Sequence, residues 1–343
     1  MSRESTSPSS RGGSRGLPEL VARVRRTLDE RRLIPPESRV LCACSGGPDS
    51  AALLLVLARL APASKFQLEA ACVDHGLRPE GARDLEIARA QAASLGIPFH
   101  ALRVEVERRP SLQAAAREAR YGALLRLASE RSANRVAVGH TRDDQAETVL
   151  ARLIRGTGLH GLGAIDPCRA DGVIRPLIDC DRDEVQRVAR EEFREIADDA
   201  SNADERFERV RIRAHVMPVL RAENPQLTRH LCELADEARE FRAPLEDAVR
   251  ALLDEAGSGA EARCLRGAVL ADRPASLRRA ALRAWLGREG AIPVSRAHVE
   301  ELDHALQVRR GHVWLARGFC ARVDAHGSVE LQLPPAGGQA DEP

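Results

Sequence analysis

Between residues 39 and 138 short apolar runs alternate with longer segments of helical period. Residues 39–44, 68–73, 99–104 and 135–138 read as strands, each bounded by Gly, Pro or Asp. Residues 50–60, 80–95 and 111–131 carry apolar side chains at helical spacing. Strand–helix alternation of this kind predicts a parallel sheet with helices on both faces, since each crossover returns the chain to the same end. The expected fold class is α/β. In open sheets of this type ligands bind beyond the carboxyl ends of the strands. Chemistry is therefore sought just after each strand.

The rest of the chain differs. Residues 17–32, 182–193, 207–220, 226–253, 276–286 and 295–306 have a helical period, and residues 312–333 alternate as short strands. A chain of 343 residues is long enough for two domains without disulfides or metals. The expected division is a Ser/Arg/Gly-rich disordered tail over 1–16, a catalytic domain over 17–222, a smaller, mainly helical domain with a few strands over 223–333, and a frayed end over 334–343. Gly257-Ser258-Gly259 reads as a break in a linker.

The net charge is +1, from 52 basic and 51 acidic residues. Any grip on nucleic acid must then be local rather than global. A single lysine, Lys65, stands among the 52 basic residues, which codon bias in a GC-rich genome explains. None of the eight cysteines forms a C-x-x-C pair, so a zinc ribbon or an iron–sulfur motif is unsupported. Cysteines within apolar runs fit a reducing cytosol. The longest apolar run, 51–57, is too short to cross a membrane. The expected location is cytoplasmic.

The first strand ends in Ser45-Gly46-Gly47-Pro48-Asp49-Ser50, and a helix begins at once. The amides of such a turn, with the free N–H groups of the helix, form an anion site. Ser45 and Ser50 add hydroxyl donors. Asp49 suits Mg²⁺ held against a phosphate. The Gly-Lys-Ser/Thr of a Walker A loop is absent. The plainer alternative is a Ser/Gly turn with an Asp cap. Asp144 and Glu147, three residues apart at a helix start, share one face and form a paired carboxylate site. The alternative is that Asp143 and Asp144 complement the helix dipole while Glu147 is solvated.

Ser-Gly-Gly-x-Asp-Ser after a first strand resembles the PP-loop of the N-type ATP pyrophosphatases, a Rossmann-like fold. Further segments narrow the resemblance. They are Val73-Asp74-His75-Gly76-Leu77-Arg78, Ala116-Arg117-Glu118-Ala119-Arg120-Tyr121 and Gly139-His140-Thr141-Arg142-Asp143-Asp144-Gln145-Ala146-Glu147-Thr148. Arg155-Gly156-Thr157-Gly158-Leu159-His160-Gly161-Leu162, Ile174-Arg175-Pro176-Leu177 and the stretch 201–213 follow. In this order the series resembles the tRNA(Ile)-lysidine synthase family, continuously from about 40 to 220 and more weakly to about 331. Val210 and Ala200 stand where the family usually shows Asn and often Pro.

The resemblance implies an ATP- and Mg²⁺-dependent ligase. Such enzymes adenylate the carbonyl oxygen at C2 of the wobble cytidine in a tRNA(Ile) with a CAU anticodon. The ε-amine of free L-lysine then attacks and AMP leaves. Ser45, Gly46, Gly47, Pro48, Asp49 and Ser50 are expected to hold the nucleotide, with His75 and His140 facing it and Mg²⁺ on Asp49. Asp144 and Glu147 are expected to bind lysine and take its proton. Arg117, Arg120 and Arg213 are expected to face phosphate, with Arg209 as an alternative to Arg213. Arg278, Arg279, Arg283 and Arg288, with Trp285 among them, are expected to contact tRNA, or else to form an amphipathic helix with Leu277, Ala281 and Leu282 inward. A homodimer is compatible with this reading. The alternative function is tRNA 2-thiolation by a relative with the same ATP loop, which the absence of C-x-x-C opposes.

Overall fold

The computed structural model describes residues 16–76, 81–104, 112–197, 204–257, 263–288 and 294–332. Of the expected tail over 1–16, residues 1–15 lie outside them while Gly16 opens a helix; the end over 334–343, Leu77–Arg78, the stretch 200–203 and the linker residues Ser258 and Gly259 also lie outside them. The chain divides into two compact units, residues 1–237 and 238–343.

The first unit is built on a five-stranded parallel sheet. Its strands are β1 (Arg39–Ala43), β2 (Gln67–Asp74), β3 (Phe99–Arg103), β4 (Arg135–Ala137) and β5 (Val173–Ile174), in the order β3-β2-β1-β4-β5. All four pairings are parallel. The fold is thus the α/β class expected. The strands are buried on both faces, so their side chains sort by parity. Val40, Cys42, Leu68, Ala70, Cys72, Ala137 and Ile174 point into one core. Leu41, Ala71, Val136 and Val173 point into the other.

Helices α1 (Gly16–Glu30), α2 (Pro48–Ser64) and α3 (Gly81–Ser94) cover the first face. Helix α4 (Leu112–Glu130) covers the second through Tyr121, Leu124, Leu127 and Ala128. Helix α2 is apolar nearly all round, which is the mark of a helix enclosed on several sides. It ends at Lys65, exposed and left-handed at φ 52°. Helices α5 (Arg142–Ile154) and α6 (Leu159–Leu162) precede β5. Helix α7 (Arg182–Glu192), which falls within the expected bounds 17–222, packs into the first core, where Val185, Val188 and Ala189 are buried.

The segment 207–220 is helical as expected, running without a break from Glu208 to Glu223 as α8 (Glu208–Arg211), a π-helical turn (Ile212–Val216) and α9 (Met217–Glu223). Strand β5 was missed because two residues carry no periodicity.

The long helix α10 (Leu227–Glu255) contains the division between the units. The second unit adds β6 (Cys264–Arg266), α11 (Gly267–Ala271), α12 (Ala275–Gly287), α13 (Arg296–Val308), β7 (Gly311–Trp314), β8 (Cys320–Val323) and β9 (Ser328–Gln332). Its four strands form an antiparallel sheet in the order β6-β9-β8-β7. Here the RNA-contact reading of Arg278 and Trp285 fails. Trp285 is 3% exposed and lies in the core. Arg278 is 9% exposed and pairs with buried Asp303. The helix is amphipathic, with Ala281 and Leu282 inward. Among the described residues no helix is long and apolar enough to cross a membrane.

Candidate active site

Strand order reverses between β1 and β4, and a crevice beyond their carboxyl ends is where an open sheet binds ligand. The loop 45–50 leaves β1 at that point, and residues 139–147 leave β4 beside it. Two glycines permit the approach. Gly46 sits at φ +80°, and a Cβ there would lie 2.8 Å from the Asp84 carbonyl. At Gly139 a Cβ would lie 3.1 Å from the backbone of Asp49. The two loops therefore touch through backbone.

The loop is braced internally. The Ser50 hydroxyl donates to the Gly47 carbonyl at 3.0 Å and accepts from the Ser45 amide at 3.1 Å. Gln91 Nε2 and the Ala197 amide both donate to the Gly46 carbonyl at 3.0 Å. Pro48 occupies the first turn of α2, where its missing N–H costs nothing. The Asp49 carboxyl is pushed up to about 6 by burial and by the negative charge of Asp144. Its one side-chain donor is Gln186 Nε2 at 3.1 Å. An enclosed carboxylate at the mouth of an anion-binding loop is the kind of group that would hold a divalent cation near phosphate. Among the described residues no group of three or more His, Cys, Asp or Glu could hold a metal by itself.

Helix α5 projects Asp144 and Glu147 into the crevice. They are 6% and 1% exposed. The expected pairing is present, but the pair does not face an open ammonium pocket. Three arginines already hold it. Arg182 Nη1 donates to Glu147 at 2.7 Å and its Nη2 to Asp144. Arg209 donates to Asp144 at 2.6 Å and to Glu147 at 3.0 Å. Arg213 forks onto both Glu147 oxygens. Asp144 also accepts from the Thr141 amide at 2.7 Å, closing the start of α5. Burial alone would raise both acids, but the guanidiniums outweigh it and hold each below its ordinary range.

Asp143 does structural work. It accepts from the Arg182 amide at 2.8 Å and from Arg221 at 2.5 Å. His140 leaves β4 next to the pair. Burial, with Arg175, Arg209 and Arg117 nearby, pushes its imidazole down to about 3 against the pull of Asp144. Arg175 Nε donates to His140 Nδ1 at 3.2 Å, so the ring is neutral with Nδ1 as acceptor. His75 follows β2 at the same sheet edge. Arg117 and Arg120 flank Tyr121 on α4, with ring-centroid distances of 5.0 and 5.4 Å.

Sequence reasoning missed Arg182, Gln186 and Arg169, and gave Arg175 and Tyr121 no role. Arg182 opens the first helix after β5. The rule that chemistry follows strands reaches it once that two-residue strand is identified.

Residues 18–220 match the PP-loop domain family, and residues 265–332 match the TilS substrate binding domain. A tRNA(Ile)-lysidine synthase of Synechococcus sp. is 35% identical over 298 residues, which are 84% of this chain and 89% of that one. The chain belongs to the tRNA(Ile)-lysidine synthase family. Another tRNA(Ile)-lysidine synthase, of Bradyrhizobium sp., is 39% identical over 81% of this chain and 84% of its own. That of Symbiobacterium thermophilum is 41% identical over 64% of this chain, a match spanning about half of the relative's length (48%). The chain also shares a fold with a U34-tRNA thiolase, NcsA from Methanococcus maripaludis, solved with its [4Fe-4S] cluster. The TM-score is 0.56 at 19% identity, over 66% of this chain and 80% of that one. At that identity the likeness concerns the fold alone.

Proposed function

We propose that this chain ligates free L-lysine to C2 of the wobble cytidine of tRNA(Ile) with a CAU anticodon, using ATP and Mg²⁺ in the cytoplasm. The observation that carries the reading is the juxtaposition of a PP-loop with an enclosed carboxylate pair at one sheet edge. ATP would lie with its pyrophosphate against the Ser45–Ser50 amides and hydroxyls. Asp49 would hold Mg²⁺, which supplies charge neutralisation for the departing pyrophosphate when bound. The cytidine O2 attacks the α-phosphorus and pyrophosphate leaves. The lysine ε-amine then attacks C2, and the O2 atom departs within AMP.

The charges of the acid pair constrain lysine entry. Two carboxylates facing three guanidiniums carry a net charge of +1. A further cation cannot join without displacing one. Arg182 is the most enclosed of the three, while Arg209 and Arg213 are half-buried on the segment after residue 203. The ammonium of lysine takes the place of an outer arginine. The freed guanidinium then serves the adenylate phosphate. Asp144 or Glu147, in contact with the ammonium, takes its proton as the amine attacks C2.

Incubation of the purified chain with ATP, labelled lysine and a tRNA(Ile) CAU transcript tests the reading. Lysine should enter the wobble nucleotide with release of AMP and pyrophosphate. ATP turnover without lysine incorporation would overturn it, as would sulfur transfer in its place.

A further inference from the structure

The chain has one tyrosine, Tyr121, and it is 6% exposed. Its ring packs in the core beneath α4, beside Leu124 and Val138. Its surroundings are not those of an ordinary core residue. The guanidinium carbons of Arg117, Arg169 and Arg120 lie 5.0, 5.1 and 5.4 Å from the ring centroid. Arg117 Nη2 donates to the phenol oxygen at 3.4 Å, and Arg175 stands beside this group, donating to His140 Nδ1 at 3.2 Å. These arginines come from two separate stretches, α4 and the residues around β5. Among the described residues, Asp171 is the one carboxylate that makes an ion pair with any of the four, through Arg169 at 2.6 Å.

Like charges gather only where something holds them. A carboxylate would do so by neutralising them. An aromatic face attracts each cation through its quadrupole and removes none of the charge. We infer that Tyr121 is a positioning residue that gathers Arg117, Arg120, Arg169 and Arg175 into a cradle for a phosphate group, with Asp171 offsetting only Arg169 by an ion pair. Burial and the neighbouring positive charges of Arg120, Arg175 and Arg209 lower the Arg117 guanidinium, a repulsion that a bound anion relieves. Planar guanidiniums engage phosphate oxygens in pairs. Arg175 also touches His140, which places the cradle at the edge of the acid-pair crevice.

Two sources of phosphate exist for this site: the RNA backbone around the modified nucleotide, and ATP. The PP-loop at the start of α2 already provides amides for ATP. Tyr121 lies under the opposite sheet face from α2, so the backbone of the RNA is the occupant assigned. The inference rests on the RNA- and ATP-dependent reading above.

The test is tRNA(Ile) binding without ATP or lysine, measured across a salt series for wild type, Tyr121→Phe, Tyr121→Leu and Arg169→Ala. ATP KM in pyrophosphate release is measured beside it. Each lost phosphate contact lowers the slope of log K against log[salt] by about 0.7–0.9. Tyr121→Leu should lower it by about one to two contacts and weaken binding roughly five- to twentyfold at low salt. Tyr121→Phe should recover most of that slope, because the ring remains. Arg169→Ala should lose about one contact, and as a partly exposed residue it serves if Tyr121→Leu does not fold. ATP KM should stay within about twofold. A folded Tyr121→Leu with the wild-type salt slope would reduce Tyr121 to core packing and overturn the inference, and a wild-type slope in Arg169→Ala would do the same. A raised ATP KM with the tRNA slope intact would overturn the RNA assignment. Absence of lysine incorporation by wild type would overturn the parent reading while leaving these slopes to judge the cradle.

Discussion

Arg213 Nε and Nη2 donate to the two carboxylate oxygens of Glu147 at 2.8 and 3.0 Å. This two-point contact joins a helix that follows β4 to a segment more than sixty residues later. It also places a competitor where the substrate ammonium has to go. Removing the competitor has a specific kinetic signature. Arg213→Ala should lower the KM for lysine, by roughly three- to tenfold, and lower kcat as the adenylate loses a cation. Glu147→Gln should raise the lysine KM more than tenfold while pyrophosphate release persists. Initial rates of lysine incorporation against lysine concentration measure both. A raised lysine KM in Arg213→Ala would rule out displacement.

Asp49 should trade stability for activity. Its carboxyl titrates near 6 in the folded chain against an ordinary 3.8, chiefly through burial. The folded state thus binds the proton more tightly than the unfolded state. Stability falls as pH rises from about 4 to 6, and the full cost persists above 6. Asp49→Asn should abolish adenylation yet stabilise the chain at pH 7.5 by about 2–3 kcal/mol, from the size of the shift. Melting curves at pH 7.5 and pH 4 check this: the advantage of the variant should shrink at the lower pH.

His140 carries the opposite sign. Its folded-state value near 3 lies below the ordinary 6.5, with burial as the largest cause. Its contribution to stability is complete above about 6.5 and is lost as pH falls toward 3. His140→Asn keeps an acceptor for Arg175 and removes the titration. Its stability should fall less steeply than that of wild type between pH 6.5 and pH 4 in chemical denaturation. The imidazole stays neutral over the working range, so His140 should add no limb to the rate profile between pH 5 and pH 8.

In the second unit Asp303 is a buried anion serving two arginines, Arg278 and Arg279. Asp303→Ala leaves Arg278 enclosed without a counter-charge. The expected cost is about 3–5 kcal/mol, and the second unit should melt first. The double variant Arg278→Leu/Asp303→Leu should recover most of the loss, because packing replaces two desolvated charges. Calorimetry resolves the two transitions.

The first four strands and the PP-loop were legible because burial on both faces produces short apolar runs ending at glycine or aspartate. The acid pair was legible from its helical spacing. What held the pair was not. Arg182, Arg209 and Arg213 meet Asp144 and Glu147 across 35 to 66 positions, and no local pattern encodes a contact at that range. Arg278 failed for a related reason. An arginine on an amphipathic helix looks like a surface cation until the aspartate 25 positions away is seen beside it. The π-helical turn at Ile212–Val216 left no trace in composition, because it changes hydrogen-bond register rather than residue type.

Lys65 ends α2 and is the sole lysine of the chain. The loop it never touches opens the same helix, seventeen residues and roughly 25 Å away. Among side chains, amine-directed labelling will therefore mark Lys65 alone and spare the phosphate-facing groups, which are arginines, backbone amides and the Ser45 and Ser50 hydroxyls. A dye placed there reports from the far end of α2. Reagents that attack guanidinium, by contrast, should silence the site outright.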